Sequence, residues 1–260
     1  MFRFNIVITE ACNAKCSHCY MGNIKNPKTM TQKEIETIIK KIPKDTESIV
    51  LTGGEIFLKK SLLEFAIKQI KTKNPKIKIG LETNGIYFYK KNEKAKEELQ
   101  HLREIGVDSI RFSDDPFHEE GGVDLKKVRE LKELEDESTP ILKYLIQEKA
   151  LAIGKAQKLR ENQVEKRNCM NHEDTLNNPY LFLDAYGDVY ICTWKCIPPI
   201  GNMIKEDMND ILKRLQDDFY HNILKGSIKK AMKMKNNPKE NEQIIKEHGE
   251  CMLCSYIFQK

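Results

Sequence analysis

Residues 4–20 read FNIVITEACNAKCSHCY, and this stretch decides how the rest of the chain is interpreted. Its first half is apolar and predicts a short β-strand over residues 4–8. Its second half holds Cys12, Cys16 and Cys19, with three and then two residues between them. A 4Fe-4S cluster normally takes four thiolates, so a tight group of three predicts a cluster with one iron open to a small molecule.

A zinc ion is the alternative occupant of this loop. Three thiolates and the imidazole of His18 would complete a tetrahedral zinc site. The spacing C-x3-C-x2-C resembles that of the radical S-adenosylmethionine superfamily. The resemblance implies that the amino and carboxylate groups of S-adenosylmethionine chelate the open iron. It also implies that an electron from the cluster cleaves the sulfonium to a 5'-deoxyadenosyl radical.

A Gly-Gly-Glu sequence, Gly53-Gly54-Glu55, follows a second apolar run at residues 48–51 and precedes a helical pattern. Glycines at the carboxyl end of a strand let the backbone approach a ligand closely. The sequence resembles the superfamily motif that holds the methionine amino group, with Ile56 where proline is usual. An ordinary turn is the alternative. Because the motif follows the cysteines in the right order, we expect all three residues to bind S-adenosylmethionine.

Strand and helix patterns alternate at least five times before residue 150. A capping box of Thr31 and Glu34 predicts one helix start. Apolar spacing predicts helices over residues 31–42, 62–70, 91–105 and 125–134, and strands over 4–8, 48–51, 77–81, 109–112 and 141–146. Such alternation implies an α/β fold with a parallel sheet. In the superfamily it corresponds to a partial (β/α)6 TIM-like barrel with its site at the carboxyl ends of the strands.

Polar residues follow the third, fourth and fifth predicted strands. By the resemblance, these residues contact S-adenosylmethionine: Thr83, Asn84, Ser113 and the weaker candidate Gln147. His118 and Asp115 are candidates for acid–base catalysis, because the pKa of a histidine can be tuned near neutrality. Both residues also fit a structural role as caps in the loop after the fourth strand.

The chain has 260 residues, with 44 Lys and Arg against 39 Asp and Glu, and a formal net charge of +5. This charge is too small to indicate nucleic acid, but it suits an acidic electron donor such as flavodoxin or ferredoxin. Neither a signal peptide nor a membrane span is recognisable, so a cytoplasmic location is expected. Eight cysteines in such a chain indicate metal or cluster ligands rather than disulfides. Clusters of this kind also need low oxygen.

The other five cysteines are confined to the last third of the chain: Cys169, Cys192, Cys196, Cys251 and Cys254. Residues 181–192 alternate on either side of Gly187 and predict a β-hairpin. The hairpin spacing, a helix over residues 208–219 and the closing C-x2-C pair resemble the SPASM and twitch domains of radical enzymes. The resemblance implies an auxiliary 4Fe-4S cluster held by Cys169, Cys192, Cys251 and Cys254. Cys196 could replace Cys192 or act as a hydrogen-donating thiol, and a structural zinc on the same four cysteines is the alternative.

These signals divide the chain into a partial barrel over residues 1–165 and a small twitch-type β-hairpin and helix domain over residues 166–260. We expect a radical S-adenosylmethionine oxidoreductase whose auxiliary cluster accepts an electron from the substrate radical, with dehydrogenation of a small molecule as the leading reaction. Modification of a ribosomally made peptide, by thioether formation, carbon–carbon crosslinking or epimerisation, is a second hypothesis. A zinc-binding interaction protein is a third hypothesis, from a different class.

Overall fold

The computed structural model describes residues 1–22, 24–151, 153–165, 179–224, 238–249 and 253–254. Its strands are β1 Phe2–Thr9, β2 Thr46–Gly53, β3 Lys78–Thr83, β4 Ser109–Ser113, β5 Ile141–Leu145, β6 Ala150–Leu151, β7 Val164–Glu165, β8 Tyr180–Leu183, β9 Asp188–Tyr190 and β10 Gly201–Asn202. Eight strands form one sheet in the order β10-β9-β8-β1-β2-β3-β4-β5, and β6 pairs with β7 in a second sheet. Strands β8 and β1 to β5 are all parallel. The large sheet stays open, which confirms the predicted α/β class and partial barrel.

The helices cover the sheet and connect its strands. They are α1 Gln32–Lys41, α2 Lys60–Lys73, α3 Ile86–Tyr89, α4 Ala95–Glu104, α5 Pro116–Glu120, α6 Leu125–Glu130, α7 Met208–Lys213, α8 Asp218–Leu224 and α9 Pro238–His248. Short 3-10 turns lie at Ile56–Lys59, Asn92–Lys94, Leu131–Leu134, Gly154–Lys158, Glu161–Gln163 and Arg214–Gln216. Each of the four helices predicted before residue 150 has a counterpart, in α1, α2, α4 and α6, although the bounds differ and α6 gives way to a 3-10 turn at Leu131–Leu134.

The start of α1 follows directly from its sequence. The Thr31 hydroxyl accepts a hydrogen bond from the Glu34 backbone N–H, and the Glu34 carboxylate accepts from the Thr31 N–H. These reciprocal bonds satisfy two amide groups that no helical carbonyl can reach. Ile35, Ile38 and Ile39 then bury one face of the helix against the sheet. The predicted capping box is confirmed.

The helix predicted over residues 208–219 is wrong as a single element. The chain winds through α7 and a 3-10 turn and then becomes extended at Asp217. There the Asp217 carboxylate accepts a hydrogen bond from the Phe219 N–H at 2.9 Å. An aspartate that binds a backbone amide two residues later favours a new helix start over continuation. The helix predicted from residue 91 likewise begins only at Ala95, after a turn in which Asn92 has φ +50°.

Strand β1 lies inside the sheet, second in the row of six parallel strands. It pairs with β2 on one side and, far along the chain, with β8 on the other, where Ile6 lies opposite Leu183. Phe4, Ile6 and Ile8 are buried in a core that also contains Leu183. The sheet is therefore continuous across residue 165, and the division into two domains at that residue remains a prediction.

The parallel strands all end at one edge of the sheet. Thr9, Gly53, Thr83, Ser113 and Leu183 are the last residues of their strands, and the loops that follow them meet there. The predicted site residues of the barrel follow these strand ends.

In the part of the chain that the structure describes, no helix is long and apolar enough to cross a bilayer.

Candidate active site

The Gly53-Gly54-Glu55 segment packs against the backbone that leads into the three cysteines. The Gly54 N–H donates to the Thr9 carbonyl at 2.8 Å, and the Glu55 N–H donates to the Ala11 carbonyl at 2.7 Å. A Cβ atom on Gly54 would lie 2.4 Å from the Ala11 oxygen. Only glycine leaves room for so close an approach. The motif therefore fixes where the cysteine loop begins.

The Glu55 carboxylate ties the end of β2 to the end of β3. It is 1% exposed. It accepts hydrogen bonds from the Thr83 hydroxyl at 2.9 Å, the Asn84 N–H at 2.9 Å and the Phe57 N–H at 3.1 Å. Burial raises the pKa of Glu55, and these hydrogen bonds oppose that effect. Three of the residues expected to contact S-adenosylmethionine thus form one hydrogen-bonded unit.

Asn84 extends that unit to the cysteine loop. Its side-chain amide donates to the Asn13 side-chain oxygen at 2.9 Å and lies 4.0 Å from the Cys12 sulfur. Its own oxygen accepts from the Ile86 N–H at 3.0 Å, which starts α3. Asn84 is buried. The loop after Cys12 is therefore held by β3 as well as by β2.

The three cysteines of the loop lie in one electrostatic neighbourhood. Cys12 is exposed, Cys19 is half-buried and Cys16 is buried. Burial raises the pKa of Cys12, and burial together with the charges of Cys12 and Cys19 raises the pKa of Cys16 to about 12. Thiols of this kind become thiolates at neutral pH when a metal binds them. The donor set therefore fits a metal cluster.

Cys16 also packs closely against the start of the loop that follows α5. A Cβ atom on Gly121 would lie 2.8 Å from the Cys16 sulfur and 2.8 Å from its backbone nitrogen. The Lys15 N–H donates to the Gly121 carbonyl at 3.0 Å. The residue after α5 must therefore be small, and β4 contributes a third support for the cysteine loop.

Asp115 and His118 form a hydrogen-bonded pair at the start of α5. Asp115 is 1% exposed, and one carboxylate oxygen accepts from the His118 backbone N–H at 3.0 Å. Its other oxygen lies 2.8 Å from the His118 Nδ1 atom. Although burial raises the pKa of Asp115, the hydrogen bond and charge of His118 outweigh it and the pKa is lowered. The pair leaves the Nε2 atom of His118 available to other partners.

His18 joins this pair from the cysteine loop. Its ring stacks on Phe117, with centroids 4.8 Å apart, and meets the His118 ring nearly edge-on at 4.9 Å. Burial, followed by the charge of His118, lowers the pKa of His18 to about 4. One donor atom each from Cys16, His18 and His118 lies within 4.8 Å of the others. Two predicted site residues thus meet a loop residue that was considered as a zinc ligand.

Ser113 and Gln147 are placed differently from the residues above. Ser113 ends β4 at the common edge and is half-buried. Gln147 is half-buried beyond β5, and its side-chain amide donates to the Lys149 carbonyl at 3.0 Å. The described contacts therefore assign Gln147 to a local turn, and contact of either residue with S-adenosylmethionine remains a prediction.

The predicted hairpin is present as β8 and β9, with Gly187 in the turn at φ +82°. Asp184 organises it: its carboxylate accepts from the Asp188 N–H at 3.0 Å and from the Lys195 ammonium at 2.8 Å. Cys192 follows β9. A hydrogen bond with the Cys196 thiol is the main cause that lowers the pKa of Cys192, to about 7.

Two of the four predicted auxiliary ligands, Cys192 and Cys254, are among the residues that the structure describes. Cys192 is half-buried, and Cys196 and Cys254 are buried in or against the main core. Cys169 and Cys251 lie outside the described residues. Cys196 had no place in the predicted ligand set. It is four residues after Cys192, and its sulfur atom lies next to the Cys192 sulfur atom.

The hairpin region and the cysteine triplet adjoin through aromatic contacts of Tyr20. The Tyr20 ring, next to Cys19, meets the Trp194 ring perpendicularly with centroids 5.8 Å apart. Tyr20 also contacts Phe182 of β8 at 6.5 Å. Burial raises the pKa of Tyr20. Tyr20 therefore connects the triplet loop with the hairpin and with the segment that follows Cys192.

Sequence reasoning misses several residues that shape this site. Gly121 had a local signal, because it is followed by Gly122 and paired glycines indicate a turn or close backbone contact. Asn13 and Tyr20 had none, since their roles depend on partners in β3 and the hairpin. Long-range contacts of this kind leave no periodic pattern in the sequence.

The chain belongs to the radical SAM superfamily. Residues 6–149, more than half of the chain, match the family model described as "Radical SAM superfamily". The match begins inside β1 and extends past β5, so it includes the triplet and five of the parallel strands. As a member, the chain binds S-adenosylmethionine and a 4Fe-4S cluster. No curated protein sequence matches it at a significant level.

Solved structures extend the similarity over nearly the whole chain. BtrN in complex with AdoMet and 2-DOIA has a TM-score of 0.61 at 16% identity, covering 88% of this chain and 89% of that chain. Native anSMEcpe with bound AdoMet has a TM-score of 0.58 at 18% identity, covering 87% and 84%. Native anSMEcpe with bound AdoMet and Cp18Cys peptide has a TM-score of 0.57 at 16% identity, covering 87% and 83%. At these identities the similarity establishes the fold.

Proposed function

We propose that the chain is a radical S-adenosylmethionine oxidoreductase whose catalytic cluster is held by Cys12, Cys16 and Cys19. When bound, the cluster supplies an electron that cleaves S-adenosylmethionine, and the resulting 5'-deoxyadenosyl radical removes a hydrogen atom from the substrate. The observation that carries the proposal is the pair of hydrogen bonds from Gly54 and Glu55 to the backbone before Cys12. They hold the cysteine loop against the residues proposed to bind the cosubstrate.

We assign S-adenosylmethionine binding to residues at the strand ends: Gly53, Gly54, Glu55, Thr83, Asn84, Ser113 and, with least support, Gln147. Glu55 has a specific capacity for the methionine amino group. An ionised carboxylate offers about four lone-pair sites, and Thr83, Asn84 and Phe57 supply three donors. One site is left for an ammonium group, whose charge would also stabilise the buried carboxylate.

His118 is the proposed acid–base residue, with Asp115 positioning it. Loss of a hydrogen atom leaves a substrate radical, and oxidation of that radical releases one proton and one electron. His118 can take the proton at Nε2, because its Nδ1 atom is held by Asp115. The buried carboxylate stabilises the imidazolium that forms.

The electron is assigned to an auxiliary 4Fe-4S cluster on Cys169, Cys192, Cys251 and Cys254. The Tyr20–Trp194 contact brings the Cys192 region next to the triplet, which favours electron exchange between them. Dehydrogenation of a small molecule is the preferred reaction, supported by similarity over almost the full length of BtrN in its complex with AdoMet and 2-DOIA. Flavodoxin or ferredoxin would supply the first electron.

The test combines metal analysis with product analysis. Anaerobically reconstituted protein should hold about eight irons per chain, as two clusters, and should form 5'-deoxyadenosine with dithionite. Replacing Cys12, Cys16 and Cys19 together by alanine should leave roughly half the iron and abolish cleavage. Cys196→Ala is the matched control, because the proposal does not place Cys196 among the ligands, and it should keep both clusters.

Two results would reject the proposal. Full cleavage by the triple variant would disprove the role of the triplet. Zinc without iron, and no 5'-deoxyadenosine, would favour a zinc-binding interaction protein.

Peptide modification is the second candidate function. It is supported by the similarly extensive coverage of anSMEcpe, whose structure contains bound AdoMet and the Cp18Cys peptide. Ile146, just past the end of β5, is 68% exposed and offers an apolar surface near the site edge. A peptide substrate would be recognised by deuterium transfer from labelled peptide into 5'-deoxyadenosine, whereas a small-molecule substrate would transfer deuterium without any peptide present.

A further inference from the structure

We propose that the cluster-free protein binds one zinc-class divalent metal ion at Cys16, His18 and His118. Among the described residues, one donor atom from each of the three lies within 4.8 Å of the other two. Cys12 and Cys19 are not part of this group. The site therefore differs from a zinc site built from three thiolates of the triplet and His18, and it goes beyond the proposed function.

The spacing of the donors suits one tetrahedral ion. Bond lengths of about 2.3 Å to sulfur and 2.0–2.1 Å to nitrogen separate neighbouring zinc ligands by roughly 3.3–3.8 Å. From separations of up to 4.8 Å, the three donor atoms would draw together by at most about 1–1.5 Å to reach that spacing. The two chain segments that carry them are already packed together, since His18 stacks on Phe117 and Lys15 donates to the Gly121 carbonyl.

His118 is oriented as a metal-binding histidine. Its Nδ1 atom lies 2.8 Å from the Asp115 carboxylate, so Nε2 is the nitrogen that can bind a metal ion. A carboxylate behind a ligating imidazole fixes the tautomer and strengthens the ligand. Asp115 is almost fully buried and is itself fixed by the His118 backbone N–H. The carboxylate is thus positioned before any metal binds.

His18 supplies an independent observation. Its Nδ1 atom is buried and has no hydrogen-bond partner within the described part of the chain. A buried polar atom without a partner is unfavourable. Coordination of a metal ion through this nitrogen would satisfy it. One thiolate and two imidazoles make a donor set that suits zinc or cobalt and leaves a fourth position for water.

Because Cys16 is also a proposed cluster ligand, the ion and the cluster exclude one another. The cluster needs all three cysteines of the triplet, whereas the ion needs only Cys16. Zinc loaded before reconstitution should therefore block the catalytic cluster and reduce the iron bound by about four per chain. Cys12 and Cys19, which are proposed cluster ligands but do not belong to the zinc site, should remain reactive toward a thiol reagent when zinc is bound.

The test is anaerobic titration of cluster-free protein with Co2+, read by its d–d and thiolate charge-transfer absorption. Since other cysteines also bind Co2+, the readout is the difference between the wild type and Cys16→Ser. This difference should correspond to one ion with one thiolate. His18→Ala and His118→Ala should each remove the same ion, and Asp115→Asn should weaken its binding about 10–100-fold. Thermal unfolding of each variant controls for folding.

Cys12→Ser and Cys19→Ser are the matched controls, and both should retain the ion. If they remove it as completely as Cys16→Ser, the site is a three-thiolate site and the inference is wrong. It is also wrong if Cys16→Ser, His18→Ala and His118→Ala leave the Co2+ spectrum unchanged. The titration uses neither S-adenosylmethionine nor iron, so its failure is distinguishable from failure of the proposed enzyme activity.

Discussion

Replacing Gly54 by alanine measures how tightly the cysteine loop is held by β2. The added methyl group would lie 2.4 Å from the Ala11 oxygen, 2.6 Å from the Glu10 oxygen and 2.7 Å from the Ala11 carbonyl carbon. All three atoms belong to the backbone, so no side-chain rotation can relieve the overlap. Either the end of β2 or the segment before Cys12 must move.

The expected cost follows from that overlap. Overpacking of a tight site costs about 1–3 kcal/mol. The movement also weakens the hydrogen bonds from Gly54 to Thr9 and from Glu55 to Ala11, and a typical hydrogen bond contributes about 1 kcal/mol. We expect the free energy of unfolding to fall by about 2–4 kcal/mol. Because the displaced segment leads into Cys12, bound iron should also fall, by about four per chain.

The assay is urea unfolding of the cluster-free variant, followed by iron analysis after reconstitution. Gly80→Ala is the matched control, since Gly80 also lies in a strand but its Cβ would be 3.4 Å from the nearest atom, a Val50 methyl. It should change the free energy of unfolding by less than about 1 kcal/mol. Equal stability and equal iron in the two variants would refute the argument that the backbone contact positions the loop.

Three further predictions concern Glu55, Asp184 and Tyr20. Burial raises the pKa of Glu55 in the folded protein. The stability that this shift contributes is therefore fully present below the unfolded-state pKa of about 4.3, and it is lost as pH rises through the folded-state pKa. The stability difference between wild type and Glu55→Gln, measured by urea unfolding, should therefore shrink with rising pH. Asp184→Asn should release the Lys195 ammonium. Bound iron should then fall by up to one cluster, while 5'-deoxyadenosine formation stays unchanged. The control Asp210→Asn, which breaks the exposed ion pair with Lys213, should change neither the bound iron nor 5'-deoxyadenosine formation. Tyr20→Leu should lower the thermal unfolding temperature more than Tyr20→Phe, because only the phenylalanine keeps the ring contact with Trp194.

The barrel half of the fold was predictable because its signals are local. The Thr31–Glu34 capping box and the apolar spacing of α1 and α2 involve residues within one or two helical turns of each other. The strands before residue 150 are short apolar runs bounded by turns. For the same reason the ends of β2 and β3, and the polar residues that follow them, could be named in advance.

The remaining features depend on contacts between distant residues. β8 pairs with β1 across some 175 residues of sequence, as the hydrogen bond between Asn5 and Tyr180 illustrates. His18 and His118 approach each other only because β1 and β4 end at the same edge. The break at Asp217 follows from a side-chain hydrogen bond that competes with an otherwise regular helical pattern. The spacing of apolar residues along the chain indicates none of these contacts. The sequence therefore supplied candidate site residues, but it did not show which of them lie together in space.

The position of β1 inside the sheet explains why the triplet loop adjoins the segment that contains Cys192 and Trp194. On one side of β1, Gly54 and Asn84 bind the cysteine loop from β2 and β3. On the other side, β8 begins the hairpin that leads to Cys192, and Trp194 contacts the residue after Cys19. A strand in the middle of a sheet has hydrogen-bonded neighbours on both edges, so a loop at its end is accessible to groups from both. The triplet loop therefore contacts the hairpin and the segment after Cys192 on the β8 side, while the residues that follow β2 and β3 position it from the other side.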